Sequence, residues 1–126
     1  MSLPISTLMQ REVSVIDMDD TIAQVEQLFA EKKLSWAPVA EAGRSVLGVI
    51  SAADLLQFHA MGGDPAAVKA WQLCTYKPIS VSPDTPLDEV ARLMIDRQVH
   101  HVIVDGGERI VGVVSSFDFV RSYVRS

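Results

Sequence analysis

The sequence predicts an α+β protein built from two similar repeats, each with the order strand, helix, strand, strand, helix. Residues 46–56 align without a gap with residues 110–120, at a constant shift of 64 positions. Each repeat also has the same order of short β-branched segments and of apolar residues at helical spacing. With about 60 residues each, neither half is expected to bury enough apolar surface alone. The two repeats are therefore expected to pack together.

The first helix of each repeat is predicted from apolar residues that recur every three or four positions. This spacing places their side chains on one helix face, which a folded protein buries. We expect Leu28 and Phe29 to be buried in the first repeat, and Leu93 and Met94 in the second. The apolar positions are Ile22, Val25, Leu28, Phe29, Leu87, Val90, Leu93 and Met94.

Short β-branched segments on either side of these helices predict the strands. One strand precedes each helix, at residues 13–16 and 79–81. Two strands follow each helix, and Gly43 and the pair Gly106-Gly107 mark the turns between them. These later strands are predicted at residues 37–40, 46–50, 101–104 and 110–114.

The second helices are predicted to begin at Ser51 and Ser115 and to run to about His59 and Tyr123. Between the repeats, residues 61–65 contain two glycines and a proline, which interrupt regular structure. Residues 66–73 then predict a short connecting helix, with Pro65 near its first turn. We therefore divide the chain into a first repeat at 1–60, a linker at 61–73 and a second repeat at 74–126.

The composition excludes several classes of protein. With 48% hydrophobic and 21% charged residues the chain is typical of a globular protein, and its net charge of -5 disfavours nucleic acid as a partner. No apolar run approaches the ~18 residues of a membrane span, and the first residues lack a targeting pattern. The single cysteine, Cys74, favours a reducing compartment and a buried structural thiol. We expect a cytoplasmic protein without a membrane partner.

Two serine-aspartate pairs, Ser51 with Asp54 and Ser115 with Asp118, have the spacing of a helix capping box. Capping alone does not require aspartate in both copies. The same groups also suit a nucleotide, because a helix N-terminus offers amides to phosphate and a carboxylate accepts from two ribose hydroxyls. We expect both roles to coexist, with ligand binding as the main one.

The segments carrying these pairs resemble the motifs of the cystathionine-β-synthase (CBS) domains, in the tandem arrangement called a Bateman module. The motifs are Gly48-Val-Ile-Ser51-x-x-Asp54, Gly112-Val-Val-Ser115-x-x-Asp118 and Lys77-Pro-Ile-Ser-Val81. The resemblance covers essentially the whole chain. It implies a pseudo-twofold module with two clefts between the repeats, which commonly bind AMP, ADP, ATP or S-adenosylmethionine. It also implies homodimers of two such modules.

The resemblance further implies which residues form each cleft, because the serine and aspartate of one repeat face the strand entrance of the other. The primary cleft is expected to contain Ser51, Asp54, Thr75, Pro78, Ile79, Ser80, His100 and His101. A second, more apolar cleft is expected to contain Met9, Val13, Ser14, Trp36, Ser115 and Asp118.

The histidine pair His100-His101 has several interpretations. It can be two polar residues at a strand entrance, and a metal site is disfavoured because neighbouring strand residues point to opposite faces. In the family a basic pair at this place contacts the ligand phosphates. Histidine carries little charge at neutral pH, so AMP is favoured over ATP.

The sequence lacks enzyme signatures such as a nucleophile elbow, a P-loop lysine or metal-ligand spacing. We therefore expect no catalytic residue, no metal and no required cofactor. The leading hypothesis is a regulatory module that binds an adenosine nucleotide and passes a conformational change to an unidentified effector protein. The alternative is a structural homodimerisation module with empty clefts.

Overall fold

A computed structural model describes residues 2–42, 45–76 and 78–125 of the chain. The predicted turn residue Gly43 and Lys77 of the predicted motif lie outside these described residues. The chain divides into two compact units. We call Ser14–Pro78 the central unit, and Met1–Val13 together with Ile79–Ser126 the terminal unit.

The central unit is a four-stranded sheet with helices. Its strand order is β1-β2-β3-β4, in which β1 pairs parallel to β2 and the other neighbours are antiparallel. Ile16, Ile22, Val39 and Ile50 are fully buried in its core. The elements are β1 (Ile16–Asp17), α1 (Ile22–Lys32), β2 (Trp36–Glu41), β3 (Ser45–Ser51), α2 (Ala52–Ala60), α3 (Ala70–Leu73) and β4 (Thr75–Tyr76).

The terminal unit repeats this arrangement. Its three strands have the order β5-β6-β7, with β5 parallel to β6 and β6 antiparallel to β7. The N-terminal segment lies beside β7, where Gln10 forms an antiparallel bridge with Val113. The elements are a 3-10 turn (Ile5–Thr7), β5 (Ser80–Val81), α4 (Leu87–Arg97), β6 (His101–Asp105), β7 (Ile110–Ser115) and α5 (Ser116–Arg125).

The motif glycines Gly48 and Gly112 allow two neighbouring segments to approach the sheets: β4 approaches β3, and the N-terminal segment approaches β7. A Cβ on Gly48 would lie closer than 3.0 Å to the carbonyl oxygen of Thr75, a separation that real Cβ atoms essentially never show. A Cβ on Gly112 would lie 2.5 Å from Sδ of Met9 and 3.0 Å from the carbonyl oxygen of Gln10. Glycine is therefore needed in both motifs because a neighbouring backbone passes over each strand.

The helix burial pattern agrees with the prediction in part. Phe29 and Met94 are buried, as predicted, whereas Leu28 and Leu93 are only partly buried. Each leucine lies one position before the buried residue and therefore at the edge of the apolar stripe, about 100° around the helix. Cys74 is buried, as predicted, and burial raises the pKa of its thiol.

The first predicted strand, residues 13–16, is wrong in its bounds, because the observed strand β1 is Ile16–Asp17. Its register pairs Ile16 with Val39. Val15 would then face Pro38, which has no amide hydrogen to donate, so strand pairing does not extend toward Val13.

The predicted connecting helix at residues 66–73 is also too long, since the observed helix α3 is Ala70–Leu73. The amide of Ile22 donates to the carbonyl of Val68, and Lys69 forms an antiparallel bridge with Thr21. These tertiary hydrogen bonds hold the segment extended where local propensity favours a helix. In the part of the chain that the structure describes, no helix combines the length and apolar character that crossing a membrane requires.

Candidate functional site

The N-terminus of α2 carries the first serine-aspartate pair in a capping box. Oγ of Ser51 accepts from the amide of Asp54 at 3.2 Å, and Oδ2 of Asp54 accepts from the amide of Ser51 at 2.8 Å. These two bonds hold the carboxylate of Asp54 in a defined orientation. Its second oxygen, Oδ1, has no hydrogen-bond partner among residues 2–42, 45–76 and 78–125. The half-buried aspartate is therefore oriented and still able to accept hydrogen bonds.

An open cavity of about 350 Å³ lies beside Asp54 within the central unit. Its volume is at the lower end of the range for small-molecule sites. The lining combines the acidic side chain with an amide, an aromatic ring and apolar side chains. The lining residues are Asp54, Gln57, Phe58, Met61, Gly63 and Leu73.

The N-terminus of α5 carries the second pair with the same capping geometry. Oγ of Ser115 accepts from the amide of Asp118 at 3.2 Å, and Oδ2 of Asp118 accepts from the amide of Ser115 at 2.8 Å. Its Oδ1 differs from that of Asp54, because it accepts from Nε2 of Gln10 at 3.0 Å and from Nη2 of Arg121 at 2.6 Å.

The electrostatic environment keeps Asp118 ionised. This residue is only 4% exposed. Burial acts to raise the pKa of its carboxyl, but the hydrogen bonds from Ser115, Gln10 and Arg121 together outweigh burial and hold the pKa below its usual value. The two aspartates thus share a capping role and differ in how many acceptor positions remain open.

The strand entrances lie next to the capping serines of their own units. Trp36 pairs with Ser51 across β2 and β3, and His101 pairs with Ser115 across β6 and β7. Burial lowers the pKa of His101, neighbouring His100 lowers it further, and Asp118 partly opposes this shift. His101 therefore carries little positive charge at neutral pH.

The lowered pKa of His101 predicts a pH dependence of stability. Between that pKa and the ordinary value of 6.5, the unfolded chain binds more protons than the folded chain. The free energy of unfolding should therefore fall as the pH decreases through about 6.5. We expect this loss between pH 7.5 and 5.5 to be smaller in His101→Gln, measured by urea unfolding. Equal pH dependence in the two proteins would contradict the prediction.

The other predicted residues are distributed over both units. Thr75 is exposed on β4, and Pro78 and Ser14 are half-buried in the central unit. In the terminal unit, Met9 is buried in the core, Val13 and Ile79 are half-buried, and Ser80 and His100 are exposed. The carbonyl of His100 accepts from the amide of Ser116 at 3.0 Å.

Within each unit, the structure brings some of the predicted residues together. Within the central unit it joins Ser51 with Asp54, and within the terminal unit it joins Ser115 with Asp118 and places His101 beside them. Of the primary set, Ser51, Asp54, Thr75 and Pro78 belong to the central unit, and Ile79, Ser80, His100 and His101 belong to the terminal unit. Of the second set, Ser14 and Trp36 belong to the central unit, and Met9, Val13, Ser115 and Asp118 to the terminal unit.

Sequence reasoning missed Gln10, Arg121 and the cavity residue Gln57. Arg121 follows Asp118 by three positions in a helix, a spacing that favours ion pairs and could have signalled it. Gln10 lies 108 positions from Asp118, and no local pattern signals a contact at that separation.

Comparison with known proteins shows a match to one protein family. The family described as CBS domain matches residues 5–60 and 69–125. An uncharacterized protein of Methanocaldococcus jannaschii is 26% identical over 98% of this chain and 45% of its own length. The protein YlbB of Bacillus subtilis is 25% identical over 90% of this chain and 78% of its own. The gamma-3 subunit of 5'-AMP-activated protein kinase of Sus scrofa is 27% identical over 92% of this chain and 24% of its own.

Solved structures share the fold. CBSX2 in complex with AMP matches with a TM-score of 0.81 at 22% identity, covering 98% of this chain and 97% of that one. The CBS domain pair of the protein MJ0100 with 5'-methylthioadenosine and S-adenosylmethionine matches at 0.85 and 19%, covering 99% and 98%. The CBS domain of a bacterial CNNM/CorC Mg²⁺ transporter with ATP matches at 0.85 and 23%, covering 97% and 87%. These likenesses confirm the predicted tandem α+β fold.

Proposed function

This chain belongs to the CBS domain family, and from that premise we propose that it is a regulatory module that binds an adenosine ligand through Ser51 and Asp54. The ligand binds better to one conformation of the module and shifts the equilibrium toward it. The proposal includes binding and a change of conformation or assembly, and it includes no chemical step.

The observation that carries the proposal is the open acceptor of Asp54. The capping box commits one carboxylate oxygen and fixes the orientation of the side chain. The other oxygen has no partner in the described part of the chain, and the residue lines the open cavity. A vicinal diol of ribose can donate to such a carboxylate through charge-assisted hydrogen bonds. Phe58 in the same lining offers an aromatic ring for an adenine base.

The relatives support the class of ligand. Structures with this fold hold AMP, ATP, or 5'-methylthioadenosine and S-adenosylmethionine, and one relative is a subunit of an AMP-activated kinase. The common part of these ligands is adenosine. The contribution of Thr75, Pro78, Ile79, Ser80, His100 and His101 to the same ligand remains a prediction from the family resemblance.

The proposal is tested by a thermal-shift panel of adenine and guanine ligands followed by calorimetry. A ligand present at 100 times its dissociation constant adds about 2.7 kcal/mol to the stability of the protein. We expect adenosine ligands to raise the melting temperature and the matching guanosine ligands to leave it unchanged. A panel in which no adenosine ligand shifts the melting temperature or binds in calorimetry would overturn the proposal.

The charge of the histidine pair predicts which nucleotide is preferred. Each additional phosphate needs compensating positive charge, and the lowered pKa of His101 limits what this pair supplies. We expect calorimetry without magnesium to give AMP an affinity at least equal to that of ATP. His101→Arg should shift the preference toward ATP. A much tighter binding of ATP by the unchanged protein would contradict the prediction.

A second candidate function is homodimerisation, favoured by an apolar groove of about 410 Å³ on the terminal unit. Among its lining residues, Ile95 is 76% exposed and Tyr123 is 67% exposed, and a second copy of the chain could cover such apolar surface. The full lining is Ala91, Met94, Ile95, Gln98, Val99, His100, Ser116, Phe119 and Tyr123.

Sedimentation velocity tests this second candidate. We expect the unchanged chain to sediment as a dimer and Ile95→Glu to sediment as a monomer, because a carboxylate in the groove would be costly to bury. Leu3→Glu is the matched control, since Leu3 is also exposed and does not line the groove. A monomer in the unchanged protein at micromolar concentration would exclude this candidate.

We further propose that the module acts in the cytoplasm on an effector protein. The buried thiol of Cys74, which forms no disulfide, fits a reducing compartment. The chain spans about half the length of the Methanocaldococcus jannaschii relative. The effector of such a module can therefore be part of the same polypeptide or a separate protein.

A further inference from the structure

The carboxylate of Asp118 is occupied by groups of its own chain. Its Oδ2 accepts from the amide of Ser115, and its Oδ1 accepts from both Gln10 and Arg121. The guanidinium of Arg121 also lies over the ring of Phe117, 5.0 Å from its centroid, which restrains its orientation further. All these residues belong to the terminal unit.

The equivalent positions of the first repeat lack these contacts. The shift of 64 positions places Gln57 where Arg121 stands in the second repeat. The strand pairing places Thr75 opposite Val49, as Gln10 stands opposite Val113. Neither Gln57 nor Thr75 has a hydrogen bond to Asp54 among the described residues, and Oδ1 of Asp54 stays open. The two repeats therefore differ in the availability of one carboxylate oxygen.

We propose that Gln10 and Arg121 form an internal latch that occupies Asp118 and closes it to the ribose diol of an adenosine ligand. This inference rests on the proposed function, because occupation of Asp118 affects binding only if the chain binds an adenosine ligand. A diol at Asp118 would have to displace a charge-assisted bond from Arg121 and a second bond from Gln10. Because Asp118 is buried, each displaced bond has to be replaced with good geometry. Each chain thus binds one adenosine ligand, at Asp54.

The latch also assigns a role to the N-terminal segment. The backbone of Gln10 forms an antiparallel bridge with Val113 on β7, while its side chain donates a hydrogen bond to Asp118 on α5. Gln10 is thereby a specificity-determining residue that acts through Asp118. Gln10 and Arg121 occupy Oδ1 of Asp118. Among the described residues, Gln57 and Thr75 make no such hydrogen bond to Oδ1 of Asp54.

The ligand test counts binding sites by calorimetry with AMP and with adenosine, which has the diol and lacks the phosphate. We expect one site per chain in the unchanged protein and a second site in the double variant Gln10→Leu/Arg121→Met. Adding Asp118→Ala to that variant should remove the second site. Arg92→Met is the matched control for Arg121→Met, because Arg92 is an exposed arginine on α4 that lines neither cavity, and this variant should leave one site. Two sites in the unchanged protein, or a single site in the double variant, would overturn the latch while the proposed function stands.

A second measurement does not depend on the ligand. A double-mutant cycle with Gln10→Leu and Asp118→Asn in urea unfolding should show a coupling of about tenfold in the unfolding equilibrium. The cycle Thr75→Val with Asp54→Asn is the control and should show none. If no adenosine ligand binds the unchanged protein, the proposed function fails, and the latch is judged by this cycle alone. Additive effects of Gln10→Leu and Asp118→Asn would overturn it.

Discussion

Replacing Asp54 by alanine is expected to weaken AMP binding by about 30- to 150-fold, the largest effect of any single change at the candidate site. The open oxygen of Asp54 is the proposed acceptor for ribose hydroxyls, and a charge-assisted hydrogen bond contributes about 1.5–3 kcal/mol. A total loss of about 2–3 kcal/mol corresponds to this change in the dissociation constant. Titration calorimetry with AMP measures it directly.

A companion variant separates binding from capping. Asp54→Ala also removes the bond to the amide of Ser51, which should cost about 1 kcal/mol of stability. Asp54→Asn keeps an acceptor for that amide and replaces the other oxygen with a donor. We expect it to lose most of the AMP affinity and little of the stability. An unchanged affinity in Asp54→Asn would show that this carboxylate does not contact the ligand.

Asp118→Ala is the matched comparison at the equivalent position of the second repeat. Its effect on AMP affinity should be smaller, because the carboxylate already accepts from Gln10 and Arg121. Equal losses from the two alanine variants would mean that the two aspartates are equivalent for the ligand. A larger loss from Asp118→Ala would reverse the assignment of the primary site to Asp54.

Gly48→Ala is expected to lower the free energy of unfolding by about 2–3 kcal/mol, the largest loss of stability that we predict. The added Cβ would meet the carbonyl oxygen of Thr75 and approach Sγ of Cys74. A backbone carbonyl in a sheet cannot move aside as a flexible side chain can, so β4 has to separate from β3. Urea unfolding monitored by circular dichroism measures the change.

Gly112→Ala is the control, because it makes the same substitution at the equivalent motif position. There the nearest atom is Sδ of Met9, in an unbranched side chain that adopts other rotamers at low cost, and the nearest backbone atom, the carbonyl oxygen of Gln10, is 3.0 Å away. We expect a smaller loss, about 1 kcal/mol. A loss at Gly112 as large as that at Gly48 would contradict the distinction between backbone and side-chain obstruction.

Local physical chemistry made much of this fold predictable from the sequence. The capping boxes at Ser51 and Ser115 depend on residues three positions apart, and both are present with the predicted partners. The repeat at a shift of 64 positions predicted equivalent strands that lead into equivalent helices, as the structure has them. Such features need only short-range spacing and hydrophobic periodicity, which a single sequence displays.

Features that depend on distant segments could not be predicted in this way. The extended segment at Val68 and Lys69 is held by Thr21 and Ile22. Strand β4 forms because Thr75 and Tyr76 pair with Val49 and Gly48 on β3. At Val68 and Lys69, local propensity favours a helix. Tertiary hydrogen bonds overrode it, because buried backbone groups must be paired.

The sequence by itself determined that this protein has two matching repeats, each with an oriented serine-aspartate pair at a helix N-terminus. It assigned Asp54 to a primary cleft and Asp118 to a second, more apolar one, but it did not distinguish the hydrogen bonds that the two carboxylates make, because both lie in the same local motif. Only the tertiary structure decided that difference, by placing Gln10 beside Asp118 across 108 positions while the open oxygen of Asp54 has no such partner among the described residues. The physical reason is that a capping bond is made within one helical turn, whereas the state of the remaining oxygen depends on which distant segment the folded chain brings against it.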